Sequence, residues 1–271
     1  MSDLTYNYRD PNVGLYQLND SYTLLLQVYP TTVSYALVHQ NRLIAWCEDC
    51  DPKILNEPGQ THEFLNYDFK NVIVALSSTG FILVPNALYD AGRIAEIARF
   101  LDVKPREKVF AQPLDDENHI VYKVSETVAK KAEKFGLQNT THIAKGWLKA
   151  IESSNPPAHN LYLNFDKKQV EIAYFAAGKL RFYNSFEFHN PDELVYYTGL
   201  VAKELQLPQR ATNIVMSGDI NMDDNNAGRL AEFFNGVEES EFKILELPAE
   251  LFPHQVLALT ALSLCVSSEV F

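Results

Sequence analysis

Cysteine, positive charge and long apolar runs are all in short supply, and each shortage removes a class of function. Three cysteines in 271 residues are too few, and odd in number, for the disulfide framework of a secreted domain. Lys and Arg number 23 against 35 Asp and Glu, a net charge of −12. Phosphate backbones and anionic membranes are therefore repelled over most of the surface, and nucleic acid is not an expected partner. The most apolar stretch, residues 256–266, is too short for the ~20 residues of a membrane span and reads as a buried helix. The opening Met1-Ser2-Asp3-Leu4-Thr5 lacks the charged-then-apolar order of a signal segment. The expected compartment is the cytoplasm. No segment is low-complexity. The seven histidines show no HxxxH or HExxH spacing and read mostly as surface or capping residues. Cys47-Glu48-Asp49-Cys50 has the spacing of half a zinc site or a redox pair, but no second pair exists and Cys265 stands alone. The two acids between the thiols raise rather than lower their pKa, so the cysteines are expected to be incidental.

What the chain does contain is an echo of itself. Ala91-Gly92-Arg93-Ile94-Ala95-Glu96 returns as Ala227-Gly228-Arg229-Leu230-Ala231-Glu232. Residues 26–43 align without gaps on 163–180, and 108–113 on 243–248. Three collinear matches at a nearly constant offset are the mark of a duplicated fold. Residues 22–28, 32–39 and 42–47 read as an antiparallel meander with short turns, and 160–165, 169–176 and 179–188 repeat it. Helical spacing follows the second meander, from Asn190 as cap, Pro191 and Glu193 to Pro208. The first meander is followed only by residues 51–68, broken at Pro58-Gly59, so its helix is shortened or irregular. Strands at 71–76 and 213–217 lead to helices at 90–101 and 226–234, where Arg93–Glu96 and Arg229–Glu232 have the spacing of same-face ion pairs. Strands at 108–111 and 242–245 close the two units. The first half adds a strand at 119–124 and helices at 126–135 and 141–151 before the linker Ser153-Ser154-Asn155-Pro156-Pro157. The last helix, 253–264, is apolar almost all round and should be buried.

Three antiparallel strands followed by alternating helices and strands make a mixed sheet covered by helices. The expectation is an α/β chain of two domains, 1–155 and 156–271, each with a mixed five-stranded sheet flanked by helices. Two such units in tandem resemble the actin-like ATPase architecture, a duplicated ribonuclease-H-like fold. The segments "QVEIAYFAAGKLRFYNSFEF" and "NIVMSGDINMDDNNAGRLAEFF" resemble the bacterial subgroup containing the pilus-assembly protein PilM and the division protein FtsA. "IVYKVSETVAKKAEKFGL" is similar to the strand, helix and turn that precede the second half there. The chain is identified as a member of a bacterial family of unassigned function with a degenerate form of this fold.

The resemblance implies two phosphate-binding hairpin loops, typically Asp-x-Gly, in which the Asp manages metal and water and the Gly lets backbone amides approach phosphate. Here the first loop has Gln27 at the acidic position, Tyr29 at the glycine position, Pro30 without an amide donor, and Thr31. The second has Asn164 for the Asp and a negative Asp166 where phosphate should sit, followed by Lys167 and Lys168. Ser217-Gly218-Asp219 stands at the adenosine-loop position, where one glycine remains of the usual pair; a plain strand-to-loop turn explains it equally well. The run from Asp219 to Asp224 looks like the start of a calcium loop, but Asp224 replaces the sixth-position Gly and Leu230 the bidentate Glu. Asp224 or Asn225 is expected to cap the next helix instead.

The loops lack the groups hydrolysis needs, so the expected function is a non-catalytic, actin-like scaffold or regulator acting through protein contacts. No cofactor is expected, no metal and no catalytic residue. The partner is an unidentified protein, with a homodimer left open. The alternative is an ATP-binding enzyme or switch with an altered phosphate site built from Lys167, Lys168 and the Ser217-Gly218 loop. A nuclease is excluded because Gln27 and Asn164 stand where its inward carboxylates would be.

Overall fold

The structure, a computed structural model, describes residues 7–11, 18–60 and 62–265; residues 1–5 and Val266, used in the reading above, lie outside them. Among the described residues, those up to Gly146 together with those from Leu259 onward form one compact unit, and Trp147–Ala258 form the other. Segments 147–155 and 259–265 thus lie in the opposite units from those the sequence reading assigns.

The first unit is built on strands β1 (Asn7–Arg9), β2 (Tyr22–Val28), β3 (Val33–His39), β4 (Arg42–Cys50) and β5 (Asn71–Leu76). Further along the chain come β6 (Gly80–Pro85), β7 (Glu107–Pro113), β8 (Asn118–Ser125) and β9 (Thr140–His142). The main sheet has the order β1-β4-β3-β2-β5-β9, and β5 runs parallel to both β2 and β9. β2 is apolar almost throughout because both of its faces are covered. Strands β6, β8 and β7 form a separate antiparallel sheet. Its helical cover, the short α1 (Ile94–Ile97) flanked by 3-10 turns, packs Ile94 and Ile97 on Val84, Leu101 and Val121. Helix α2 (Glu126–Glu133) begins at Ser125, whose hydroxyl accepts from the Val128 amide at 3.3 Å. Two 3-10 turns, Pro52–Leu55 and Glu63–Asn66, stand where the shortened first helix was expected. Helix α3 (Lys145–Ser153) leads out of β9.

The second unit contains β10 (Asn160–Asp166), β11 (Gln169–Ala176), β12 (Lys179–Glu187), β13 (Asn213–Gly218) and β14 (Gly236–Glu239), in the order β12-β11-β10-β13-β14. Helix α4 (Pro191–Glu204) is capped by Asn190, whose carbonyl oxygen accepts from the Glu193 amide at 2.9 Å. Helix α5 (Asn225–Ala231) is capped by Asp224, which accepts from the Asn226 amide at 2.6 Å. Leu161, Leu163, Phe165, Ile172, Ile214 and Met216 fill one face of the sheet and pack against Leu194, Val201, Ala227 and Leu230 of the two helices. The alternate residues, Tyr162, Asn164 and Ser217, point to the other face. Helix α6 (Pro253–Thr260) and a 3-10 turn, Ala261–Cys265, end the described chain, and that turn packs on β2 and β5.

The orders β4-β3-β2-β5-β9 and β12-β11-β10-β13-β14 are the same, so the duplication is present in the sheets. It extends to register: Val28 pairs with Val33 and Leu76 as Phe165 pairs with Val170 and Gly218. The match of 26–43 with 163–180 is therefore structural. The other two matches are not. Residues 91–97 cover the small sheet, whereas α5 covers the main sheet of its unit, where its topological counterpart is α2. Residues 108–113 lie in the small sheet, while 243–248 form no regular strand; β9 and β14 are the equivalent closing strands. Short amphipathic segments resemble one another because helical and strand periods, not ancestry, dictate their patterns. The Arg–Glu pairs within the echoed hexapeptide do form, with Arg93 on Glu96 at 2.6 Å and Arg229 on both Glu232 and Asp192.

Candidate functional site

Both hairpins singled out by the sequence occupy equivalent places, each joining the first two strands of its meander. In the first unit Gln27 is buried near the end of β2, and the Tyr29 amide closes the turn on the Thr32 carbonyl at 3.0 Å. Thr31 is exposed. The ammonium of Lys131, on α2, donates to the carbonyl oxygens of Tyr29 at 3.0 Å and Pro30 at 2.8 Å. At this point the loop offers acceptors to a cation, the reverse of the donors that a phosphate requires. Burial lowers the Lys131 pKa, and the charge of Asp51 opposes that shift. Nothing in the spacing of the sequence connects a lysine on α2 with a turn a hundred residues earlier.

In the second unit Asn164 is buried and fully engaged on the sheet face opposite the α4 and α5 core. Its side-chain amide donates to Glu171 Oε2 at 2.8 Å, and its carbonyl oxygen accepts from the Ser217 hydroxyl at 3.1 Å. Tyr183 donates its hydroxyl proton to Glu171 Oε1 at 2.5 Å. Register explains the row: Asn164 lies opposite both Glu171 and Ser217 on its two neighbouring strands. Desolvation raises the Glu171 pKa, a shift that the hydrogen bonds from Tyr183 and Asn164 oppose and the charge of Asp166 reinforces. Burial beside this carboxylate raises the Tyr183 phenol well above its ordinary value. The row therefore satisfies one carboxylate internally and leaves the Asn164 side chain committed to protein partners. Glu171 and Tyr183 were missed because the row they belong to is assembled from four strands. The available signal was an acid within the alternating Val170-Glu171-Ile172 pattern.

Asp166 pairs with Gln169 across a tight turn in which Lys167 has φ +54°. Lys167 and Lys168 are exposed, and the Lys168 carbonyl accepts from the Phe188 amide at 2.9 Å. Ser217 is buried, while Asp219 is exposed and its amide donates to the Phe165 carbonyl at 3.0 Å. Gly218 sits between them at φ +87°, where a Cβ would run into the Phe165 carbonyl oxygen. The glycine is thus required by the close approach of β13 to β10. Among the described residues no group of three or more His, Cys, Asp and Glu is placed to hold a metal ion, the 219–224 run included.

One other expectation is corrected. The Cys47 and Cys50 sulfurs meet, with Cα atoms 6.3 Å apart, within disulfide reach. A bulge in β4, where Glu48 and Asp49 stand opposite the single Ser34 of β3 and Asp49 has φ +53°, brings both side chains to one face. Of the seven histidines, His142 and His254 are buried. His142 Nδ1 accepts from the Ala144 amide at 3.3 Å, which places its proton on Nε2, 3.0 Å from the Ser78 oxygen. A ring in that tautomer donates to Ser78 and cannot take its proton, so this pair is no activated nucleophile.

Comparison with known proteins gives the same fold. The family described as "Protein of unknown function (DUF3822)" matches residues 16–237. A Bacteroides thetaiotaomicron protein with actin-like ATPase fold and unknown function superposes with TM-score 0.75 at 17% identity, covering 91% of this chain and 96% of that one. The PilM–PilN type IV pilus biogenesis complex contributes a chain similar at TM-score 0.54 and 12% identity, with 91% and 97% covered. The ethanolamine utilization protein EutJ from Carboxydothermus hydrogenoformans is similar at 0.50 and 9% identity, with 90% of each chain covered. No curated protein sequence matches the chain. No helix among the described residues is long and apolar enough to cross a membrane.

Proposed function

The chain belongs to the DUF3822 family of proteins of unknown function, and from its duplicated actin-like ATPase fold we propose a non-catalytic scaffold or regulator that acts through protein contacts. The observation that carries this reading is the state of Asn164. At the position where the fold's metal-handling acid is expected, a neutral amide is bonded on both sides, to Glu171 and Ser217. Asp166 adds negative charge beside it, and in the first unit Lys131 is spent on the carbonyls of the other hairpin. In this reading Gln27, Tyr29, Thr31, Asn164, Asp166, Lys167 and Lys168 are degenerate phosphate-loop positions, and Ser217, Gly218 and Asp219 a vestigial adenosine loop. That PilM is found in a complex with PilN supports a role through a protein partner. The fold itself does not assign activity.

A second reading, a nucleotide-binding switch, is favoured by one observation: Lys167 and Lys168 are both exposed at the second hairpin. Capture of partners from the native host separates the two. The scaffold reading expects the same partner with wild type and with a folded Lys167→Ala/Lys168→Ala variant, with or without ATP. A partner retained only with ATP, or lost with the lysines, contradicts it.

A further inference from the structure

The second unit has a groove of about 970 Å³ on the sheet face opposite the α4 and α5 core. Its floor is formed by Tyr162 and Val215, which lie opposite one another in register, and Glu238, next in the same row on the edge strand β14, stands at its rim. The charge of Glu238 is felt at the Tyr162 phenol. One wall carries Phe252, 58% exposed, and Met222, 45% exposed. Large apolar side chains left this open beside a groove mark a contact surface. Glu239 is committed to this wall, accepting from the Met222 amide at 3.0 Å and facing His254 Nδ1 at 3.5 Å. Glu238 and Glu241 are exposed carboxylates on the rim, and Lys243 is the cation lining the groove with them. The adjoining strand β14 is an edge, paired only with β13 among the described residues.

We propose that this groove binds an extended polypeptide segment of a partner protein in which Lys or Arg side chains alternate with apolar ones. The apolar side chains would lie on Tyr162 and Val215 against Phe252, and the cations would reach Glu238 and Glu241. Alternation fits because successive side chains of an extended segment point to opposite sides, and an edge strand offers backbone groups to it. Charge selects this occupant over the others. A second copy of the chain carries the same −12 and is repelled, whereas a basic segment is drawn in by the whole field of the protein. The assignment rests on the protein-contact reading above and identifies the surface that reading leaves open.

The test uses the full chain and a fluorescein-labelled peptide of alternating Lys and Leu, followed by fluorescence anisotropy, with a Glu and Leu peptide as control. The Lys peptide should bind saturably and more weakly as salt is raised. Glu238→Lys/Glu241→Lys should weaken it at least ~tenfold, and Phe252→Ala should weaken it without changing the salt dependence. Glu187→Lys/Glu204→Lys, an equal change of charge elsewhere on the surface, should leave it nearly unchanged. If the reversed variant does not fold, Glu238→Gln/Glu241→Gln is read in the same way. Absence of binding, equal weakening by both charge reversals, or equal binding of the Glu peptide would overturn the proposal. Such a failure would remove the groove and leave the nucleotide independence of partner capture untouched, so the two readings fail separately.

Discussion

Replacing Asn164 by aspartate restores the acid that an actin-like phosphate loop would carry, and the surrounding residues determine what it costs. The amide that donates to Glu171 Oε2 at 2.8 Å would become a second carboxylate oxygen at the same place. Two carboxylates at that distance cannot both ionise, so the pair must share a proton. Loss of a hydrogen bond to a charged group costs about 1.5–3 kcal/mol. Proton uptake near neutrality adds roughly 1.4 kcal/mol per pH unit above the pair's unfolded pKa values, and the shared proton returns part of this. A net loss of about 3 kcal/mol at neutral pH follows, or a melting temperature lower by roughly 6–12 °C. The sign with pH is set by the raised folded pKa of a carboxyl: the folded state binds the extra proton, so the loss deepens as pH rises and shrinks as it falls. Urea denaturation of wild type and Asn164→Asp at pH 5.5 and 7.5 reads this directly. An equal loss at both values, or none, would refute the account of the buried row.

Other outcomes follow from individual contacts. Gly218→Ala must both hold φ +87° and displace the Phe165 carbonyl; we expect a loss of about 3 kcal/mol or more in urea denaturation, with nothing near that if the residue were a free loop glycine. His142 is fully buried and its pKa is lowered by desolvation to about 3 from an ordinary 6.5. Its contribution is therefore intact above pH 6.5 and lost as pH falls toward 3, at up to about 1.4 kcal/mol per pH unit, and a folded His142→Asn variant should flatten this acid limb of the stability curve. Lys131→Met frees the Tyr29 and Pro30 carbonyls, which should speed amide exchange at residues 31–33 by about tenfold while costing about 1 kcal/mol of stability. Unchanged exchange would show that the lysine does not hold the turn.

Much of this fold was legible because its strands are long, apolar and joined by short turns. The two meanders, the strands near 71–76 and 213–218, and α4 with its Asn190 cap all carry local signals that tertiary packing had no reason to override. The closing strands were misplaced for the opposite reason. β9 has three residues and β14 four, and both take their partners from β5 and β13 rather than from any pattern of their own. The small sheet also escaped notice in part, since β6 follows β5 after a short turn and reads as a continuation of it. At the site, Gln27 and Asn164 were visible in the sequence, but not the contacts that hold the two hairpins. Glu171 needs Asn164 and Tyr183 from its two neighbouring strands, Asn164 needs Ser217 from a strand far along the chain, and Lys131 needs the loop at Tyr29. Contacts of that range exist only once the sheet has formed.

The central claim, that the hairpins of this fold no longer serve a nucleotide, is tested most directly by calorimetric titration of the purified full-length chain with ATP and magnesium. The account predicts no saturable heat of binding and no slow heat of hydrolysis. Saturable, magnesium-dependent binding that is lost in a folded Lys167→Ala/Lys168→Ala variant would contradict it.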